Sequence, residues 1–194
     1  MSTRKEQREK RRLAILEIAL DLFISKGYAG TRIGDIAEKA NMSAGLMFHY
    51  FESKAALYEE LIRIGVSGPV RVMALDSSDP LRFFETVASH ILAMLLDNSF
   101  VTKIFVFMEQ ASFHPPISDT VKELLNEMNG VLKQSISIIE KGQERGQIRP
   151  GNPEALSILY WQIISGIALY TAAFPDAPLP EVEWIIDCLR SRES

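Results

Sequence analysis

Residues 23–58 read FISKGYAGTRIGDIAEKANMSAGLMFHYFESKAALY, and their punctuation decides the fold. Lys26-Gly27 stops a preceding helix, glycine being the residue that most readily takes the left-handed cap conformation. Thr31 is placed to cap a short helix from Arg32 to Lys39 by accepting a backbone N–H bond. Ala40-Asn41-Met42 breaks that helix, with Asn41 a residue type that tolerates a left-handed turn. Ser43 caps a second short helix, about Ala44 to Tyr50, and Ser53 caps a longer one from Lys54 past Arg63. Two short capped helices joined by a tight turn form a helix-turn-helix. Ile36, Ala37 and Ala40 line the inside of the first helix, Met42 plugs the turn, and Met47 with Tyr50 or Phe51 faces inward from the second. That leaves Ser43, Ala44, Gly45, Leu46, Phe48 and His49 on the outer side or at the free N-terminus of the second helix. In this motif that end enters the DNA major groove.

Upstream, Leu13, Leu16, Leu20 and Phe23 recur at helical spacing, predicting a first helix from Glu6 to Lys26. Downstream, Asp79-Pro80 and Asn152-Pro153 each offer an N-cap followed by proline at the first helical position. Ser99 caps a helix ending before His114-Pro115-Pro116. A long helix runs from Ser118 to Arg145, Pro175 ends an uncharged helix, and a last helix spans Glu181 to Arg190. No alternating strand pattern persists, so the chain is all-α with about nine helices. The expected division is a three-helix helix-turn-helix head at residues 1–52 and a helical body at 53–194.

Charge is distributed unevenly. Residues 1–63 carry 11 Lys+Arg and 9 Asp+Glu, and residues 64–194 carry 10 and 16, so +2 and −6 make up the total of −4. Arg4, Lys5, Arg8, Lys10, Arg11 and Arg12 crowd the start of the chain. A basic tip on an acidic body suits a polyanion contacted at one end. Cys188 is the only cysteine, no secretory segment follows the basic start, and a reducing cytoplasm is expected. From Ala155 to Phe174 no residue is charged, a run long enough to span a bilayer. Ser157, Gln162, Ser165 and Thr171 interrupt it, which favours a helix buried on all sides, with cover from a second subunit.

Taken together, Gly27-Tyr28, Thr31, Asp35-Ile36-Ala37, Ser43-Ala44-Gly45, Phe48-His49-Tyr50-Phe51 and Ser53-Lys54 resemble, without a gap, the DNA-binding head of the TetR family of repressors. The resemblance covers about a third of the chain; the rest is similar in length, helix count and the GQERGQIRP stretch at 142–150. It implies that Thr31 and Arg32 contact phosphate, that Ala44, Gly45 and Leu46 face the bases with Ser43 beside them at the DNA, that Phe48 and His49 lie along the backbone, and that Lys54 pins a phosphate. It also implies a homodimer through helices at 153–174 and 180–190, a palindromic operator on double-stranded DNA, and release by a small effector. Three departures stand out. Phe48 replaces a usual tyrosine, Leu46 a small or polar residue, and Asn41 the turn glycine. With Gly34 also lacking a side chain, base reading leans on apolar contact with thymine methyls and on DNA shape.

The body's aromatic and methionine load suits a hydrophobic effector. Candidate lining residues are Phe83, Phe84, Val87, His90, Ile91, Met94 and Phe105, together with Met108, Phe113, Met128, Leu132, Tyr160, Trp161 and Ile164. Residues at helical spacing read equally as plain core, and His90 as a satisfied core histidine. No cofactor, metal or membrane partner is expected. His49, His90 and His114 lack metal-ligand spacing, and no nucleophile elbow or phosphate loop occurs, which argues against an enzyme. The alternative is a helical interaction module of the same fold that has lost DNA binding, favoured by the hydroxyl-poor second helix and opposed by the basic arm.

Overall fold

The long helices begin where a short polar side chain can take an orphan backbone N–H. Thr3 and Glu6 cap each other reciprocally, and Ser43, Ser53, Ser118 and Asn152 each accept from the amide three residues on. The computed structural model describes residues 3–97 and 99–191. Among those residues the chain forms α1 (Arg4–Gly30), α2 (Ile33–Lys39), α3 (Ala44–Phe48), α4 (Lys54–Val72), α5 (Pro80–Asp97), α6 (Ser99–Phe113), α7 (Asp119–Glu144), α8 (Pro153–Ala173) and α9 (Val182–Ile186). Inside α1, Gly27 has φ 70°, so the regular helix stops there as its glycine requires. Asn41 takes φ 52° and makes the turn between α2 and α3.

Three local expectations change. Arg32, not Thr31, is the N-cap of α2, and no side chain caps that helix. The last helix shortens to Val182–Ile186 because the following chain pairs with the α7–α8 link. Arg149 N–H donates to Leu189 O at 2.8 Å and Ser191 N–H to Gln147 O at 3.0 Å. Finally, Gly65 and Gly68-Pro69, residues expected to bend or end a helix, do not end α4, which runs to Val72.

The apolar faces close into two cores. The first joins α1, α2, α3 and the first half of α4 to Ile104, Phe107 and Ala111 of α6 and to Val121 and Leu124 of α7. The second joins α5, the latter part of α7, α8 and α9 around Phe83, Phe84, Tyr160 and Ile164. The head is thus continuous with α6 and the start of α7. Phe23 and Tyr58 both lie against Phe107, Lys103 pairs with Asp21 at 2.7 Å, and Gln110 reaches Ile24 O. Packing therefore crosses the expected boundary at residue 52. Where α4 meets α6, a Cβ on Gly65 would run into the Met108 thioether, so a larger residue here would have to push that side chain aside.

Taken singly, α8 is the one helix among the described residues long and apolar enough to cross a bilayer. Ser157, Tyr160, Ile164, Ala168 and Thr171 turn one side of it into the core, yet only 33% of its most apolar window is buried. Ile158, Leu159, Tyr170 and Phe174 stay exposed, with Trp184 of α9. Within one chain, the helix is covered on one side alone.

Candidate nucleic-acid interface and effector region

The helix-turn-helix is assembled from the inside outward. Ile36, Ala37, Met47 and Phe51 are buried, with Ala40, Met42 and Tyr50 packed beside them. Asn41 N–H donates to Glu38 O and Met42 N–H to Ala37 O, which fixes the turn. This packing leaves Ser43, Ala44, Gly45 and His49 at the surface, with Leu46 at 38% and Phe48 at 49% exposure. Neither large apolar side chain belongs to the core. The Ser43 hydroxyl accepts from Leu46 N–H at 3.2 Å, and Gly45 has open space beside its Cα. A polar, capped helix start followed by two exposed apolar side chains is a surface able to meet base edges and backbone together. Arg32 is exposed next to it at the start of α2.

Thr31 and Lys54 are placed differently from the roles the resemblance implies. Thr31 is 1% exposed, and its hydroxyl bonds Leu22 O at 3.1 Å and Gly27 O at 2.8 Å. It closes the end of α1, whose carbonyls lack helical partners, and does not face outward. The Lys54 ammonium donates to Tyr28 O at 2.6 Å and Thr31 O at 2.8 Å and lies 4.1 Å from the Tyr28 ring centroid. It locks the corner between α1 and α2 onto the start of α4. Tyr28 and Tyr58 stack edge to face there. Burial raises the pKa of both, with further upward contributions from Glu59 at Tyr28 and from Tyr28 at Tyr58. Sequence reasoning missed this lock, since its acceptors lie 26 and 23 residues from Lys54 and are backbone atoms.

The effector candidates divide into three groups. Phe83, Phe84, Val87, Ile91, Tyr160 and Ile164 are buried in the second core. Tyr160 and Phe84 meet edge to face at 4.8 Å, and the Tyr160 hydroxyl donates to Phe84 O at 2.8 Å. Phe105, Leu132 and Trp161 are half-buried, and Trp161 Nε1 donates to the buried Ser135 hydroxyl. Met108 and Met128 are half-buried against the first core. Met94 and Phe113 are exposed at 42% and 78%, and His90 is exposed as well. These last three face outward in the single chain, and the core-histidine reading of His90 is corrected. Positions 90 and 94 continue the flank of α5 that Phe83 and Val87 begin; that flank is buried in the first half of the helix and open in the second, where Ile91, Leu92 and Leu95 alone stay covered. Phe113 is the last residue of α6 and stands mostly open to solvent.

Residues 15–61 match the family model described as bacterial regulatory proteins, tetR family. The chain is 28% identical over 151 residues to the HTH-type transcriptional regulator RutR of Escherichia coli, covering 76% of this chain and 69% of that protein. It is likewise 28% identical to the HTH-type transcriptional regulator YvkB of Bacillus subtilis, over 80% of each. Among solved structures, the ketosteroid transcriptional regulator KstR2 of Mycobacterium tuberculosis superposes with a TM-score of 0.70 at 17% identity, over 94% of this chain and 96% of that one. AibR, solved with isovaleryl coenzyme A and operator DNA, superposes with a TM-score of 0.67 at 20% identity, over 91% and 94%. The helix-turn-helix head at residues 15–61 is thus that of the tetR family of bacterial regulatory proteins, carried on a helical frame shared with solved transcriptional regulators.

Proposed function

We propose that the protein is a homodimeric repressor that binds a palindromic operator and is released by a small hydrophobic effector. The observation that carries this reading is the pairing of two exposed surfaces on one chain. One is the start of α3, where Ser43 to Leu46, Phe48 and His49 lie outside the head's core. The other is the apolar face of α8 and α9, with Leu159, Tyr170, Phe174 and Trp184 exposed. An apolar face of this length is costly in water, and a two-fold contact between copies covers it self-complementarily. Two copies then present two recognition helices to successive major grooves, which requires a two-fold operator.

On this reading Arg32 meets phosphate from the start of α2, while Ala44, Gly45 and Leu46 read bases from α3. The effector belongs at the seam where α4, α6 and α7 pass from one core to the other. Met108 and Met128 border the seam from the first core, and Phe105 from the second. A ligand favouring a state with the seam opened shifts α4, and with it the spacing of the heads. AibR offers a parallel, having been solved with both an acyl coenzyme A and operator DNA.

Selection of bound sequences from a random duplex pool at two salt concentrations tests the proposal. Enrichment of a two-fold symmetric site, with affinity falling as salt rises, is the expected result. A folded dimer that enriches nothing at either concentration, with or without candidate hydrophobic effectors, would overturn it in favour of a non-DNA interaction module.

A further inference from the structure

The buried side chains of α1 begin at Ile15, so residues 4–14 reach about 16 Å ahead of the first of them at 1.5 Å per residue. This extension is a capped helix. The Thr3 hydroxyl accepts from Glu6 N–H at 3.2 Å and the Glu6 carboxylate from Thr3 N–H at 2.9 Å. Across from it lies the α2–α3 turn, and between the two runs an open groove of about 740 Å³. Its cationic lining is Arg4, Arg8, Lys10, Arg11 and Lys39, over an apolar floor that includes Ile15, Ile18, Met42 and Tyr50.

Three features separate this from a merely solvated basic terminus. Arg4, Arg8 and Arg11 fall at i, i+4 and i+7, on the side of α1 that continues into buried Ile15, so they face across the groove. None of the five cations makes an ion pair among the described residues. Arg12, by contrast, is held by Glu60 at 2.9 Å and lies over the Phe51 ring. The lining also reaches Met42, one residue before Ser43, the N-cap of α3. The basic groove is therefore continuous with the end of the recognition helix.

We propose that this groove holds the phosphate backbone of the duplex flanking the base pairs that α3 reads. The inference rests on the DNA-binding reading above and extends it to residues 4–11, which lie ahead of the segment matched by the family model. A polyanion is favoured over an acidic protein segment because the groove abuts the helix start that meets DNA. Contacts from a capped helix also forgo little backbone freedom on binding.

The test uses the full chain, a random-sequence duplex and a salt titration. Each phosphate contact contributes about 0.9 to the slope of log affinity against log salt. Arg8→Gln/Arg11→Gln is expected to flatten the slope by about 1.8 per head, which shrinks the affinity loss between about 50 and 200 mM salt roughly 12-fold. Both arginines are exposed, so the melting temperature should not move. Lys122→Gln/Lys133→Gln, which removes two exposed cations of α7, should leave the parent slope. On the selected operator trimmed flush with its outermost specified base pairs, parent and arginine variant should converge. A variant slope parallel to the parent's, or an equal flattening by the α7 pair, would overturn the groove while leaving DNA binding intact. Failure of the parent to bind any duplex would overturn both, and the parent alone reveals that case.

Discussion

Replacing Lys54 by methionine keeps most of the aliphatic stem and removes the ammonium that bonds Tyr28 O and Thr31 O. Hydrogen bonds to a charged group contribute about 1.5–3 kcal/mol each, and the contact with the Tyr28 ring adds about 0.5–1 kcal/mol at a site of this exposure. Lys54 is half-buried, so water recovers part of the loss, and the net cost should be about 2–4 kcal/mol. For a chain of this size, each kcal/mol lowers the melting temperature by about 2–4 °C, which places the expected drop at about 4–16 °C. Thermal unfolding by circular dichroism measures this directly. A salt titration of DNA affinity on the same variant separates the lock from a phosphate contact. A lock predicts weaker binding by one factor at all salt concentrations, with the slope unchanged. A phosphate contact predicts a slope flatter by about 0.9 per head and an unchanged melting temperature. The second pattern would refute the lock and restore the role implied by the resemblance.

Leu46→Ala truncates an exposed side chain, so stability should change by no more than about 0.5 kcal/mol, while the selected operator changes at one position per half-site. An identical selected site would show that Leu46 reads nothing. Gly65→Ala drives a methyl group into the Met108 thioether and should cost about 1–3 kcal/mol by overpacking; adding Met108→Ala should recover part of it in denaturant titrations. Tyr170→Glu puts a charge on the exposed face of α8 and, if the proposed dimer forms through that face, should convert it to monomer in sedimentation experiments, with helix content kept. Burial raises the Cys188 thiol to about 11, against a lowering effect of Arg149. Near pH 8.5, where a free thiol is half ionised, Cys188 therefore stays protonated and should alkylate slowly in the folded protein. Its rate should climb only as the pH approaches that higher value.

Much of the head was legible because its signals are short-range. Gly27 and Asn41 announce left-handed backbone at the residues that adopt it, and Ser43 and Ser53 cap the amides three residues on. The order of helices follows from such local chemistry, as does the outward face of α3, since Ile36, Ala37 and Met47 have no other core to enter. Thr31 marks where this ends. A threonine before a helix can accept from the next turn or donate to the last one, and only the approach of Leu22 O and Gly27 O decides between them. Lys54 is the same case at longer range, its ammonium held by two carbonyls that come near it only after α1 and α4 have packed.

The body shows the matching limit for apolar residues. The sequence of α5 determines an amphipathic helix, but His90 and Ile91 differ by about 100° around its axis, and which of them is covered depends on the helices that α7 and α8 bring alongside. The uncharged run of α8 is likewise plain in the sequence, whereas its division into a covered side with Tyr160 and Ile164 and an open side with Leu159 and Tyr170 exists only in the folded chain. By itself the sequence determined the order of the helices among the described residues, most of their caps and the outward face of α3, all set by interactions within a few residues. The tertiary structure alone decided the corner lock, the two cores and the basic groove, because a hydrogen-bond partner or a covered face is chosen by what packs nearby, and packing joins residues that the sequence keeps far apart.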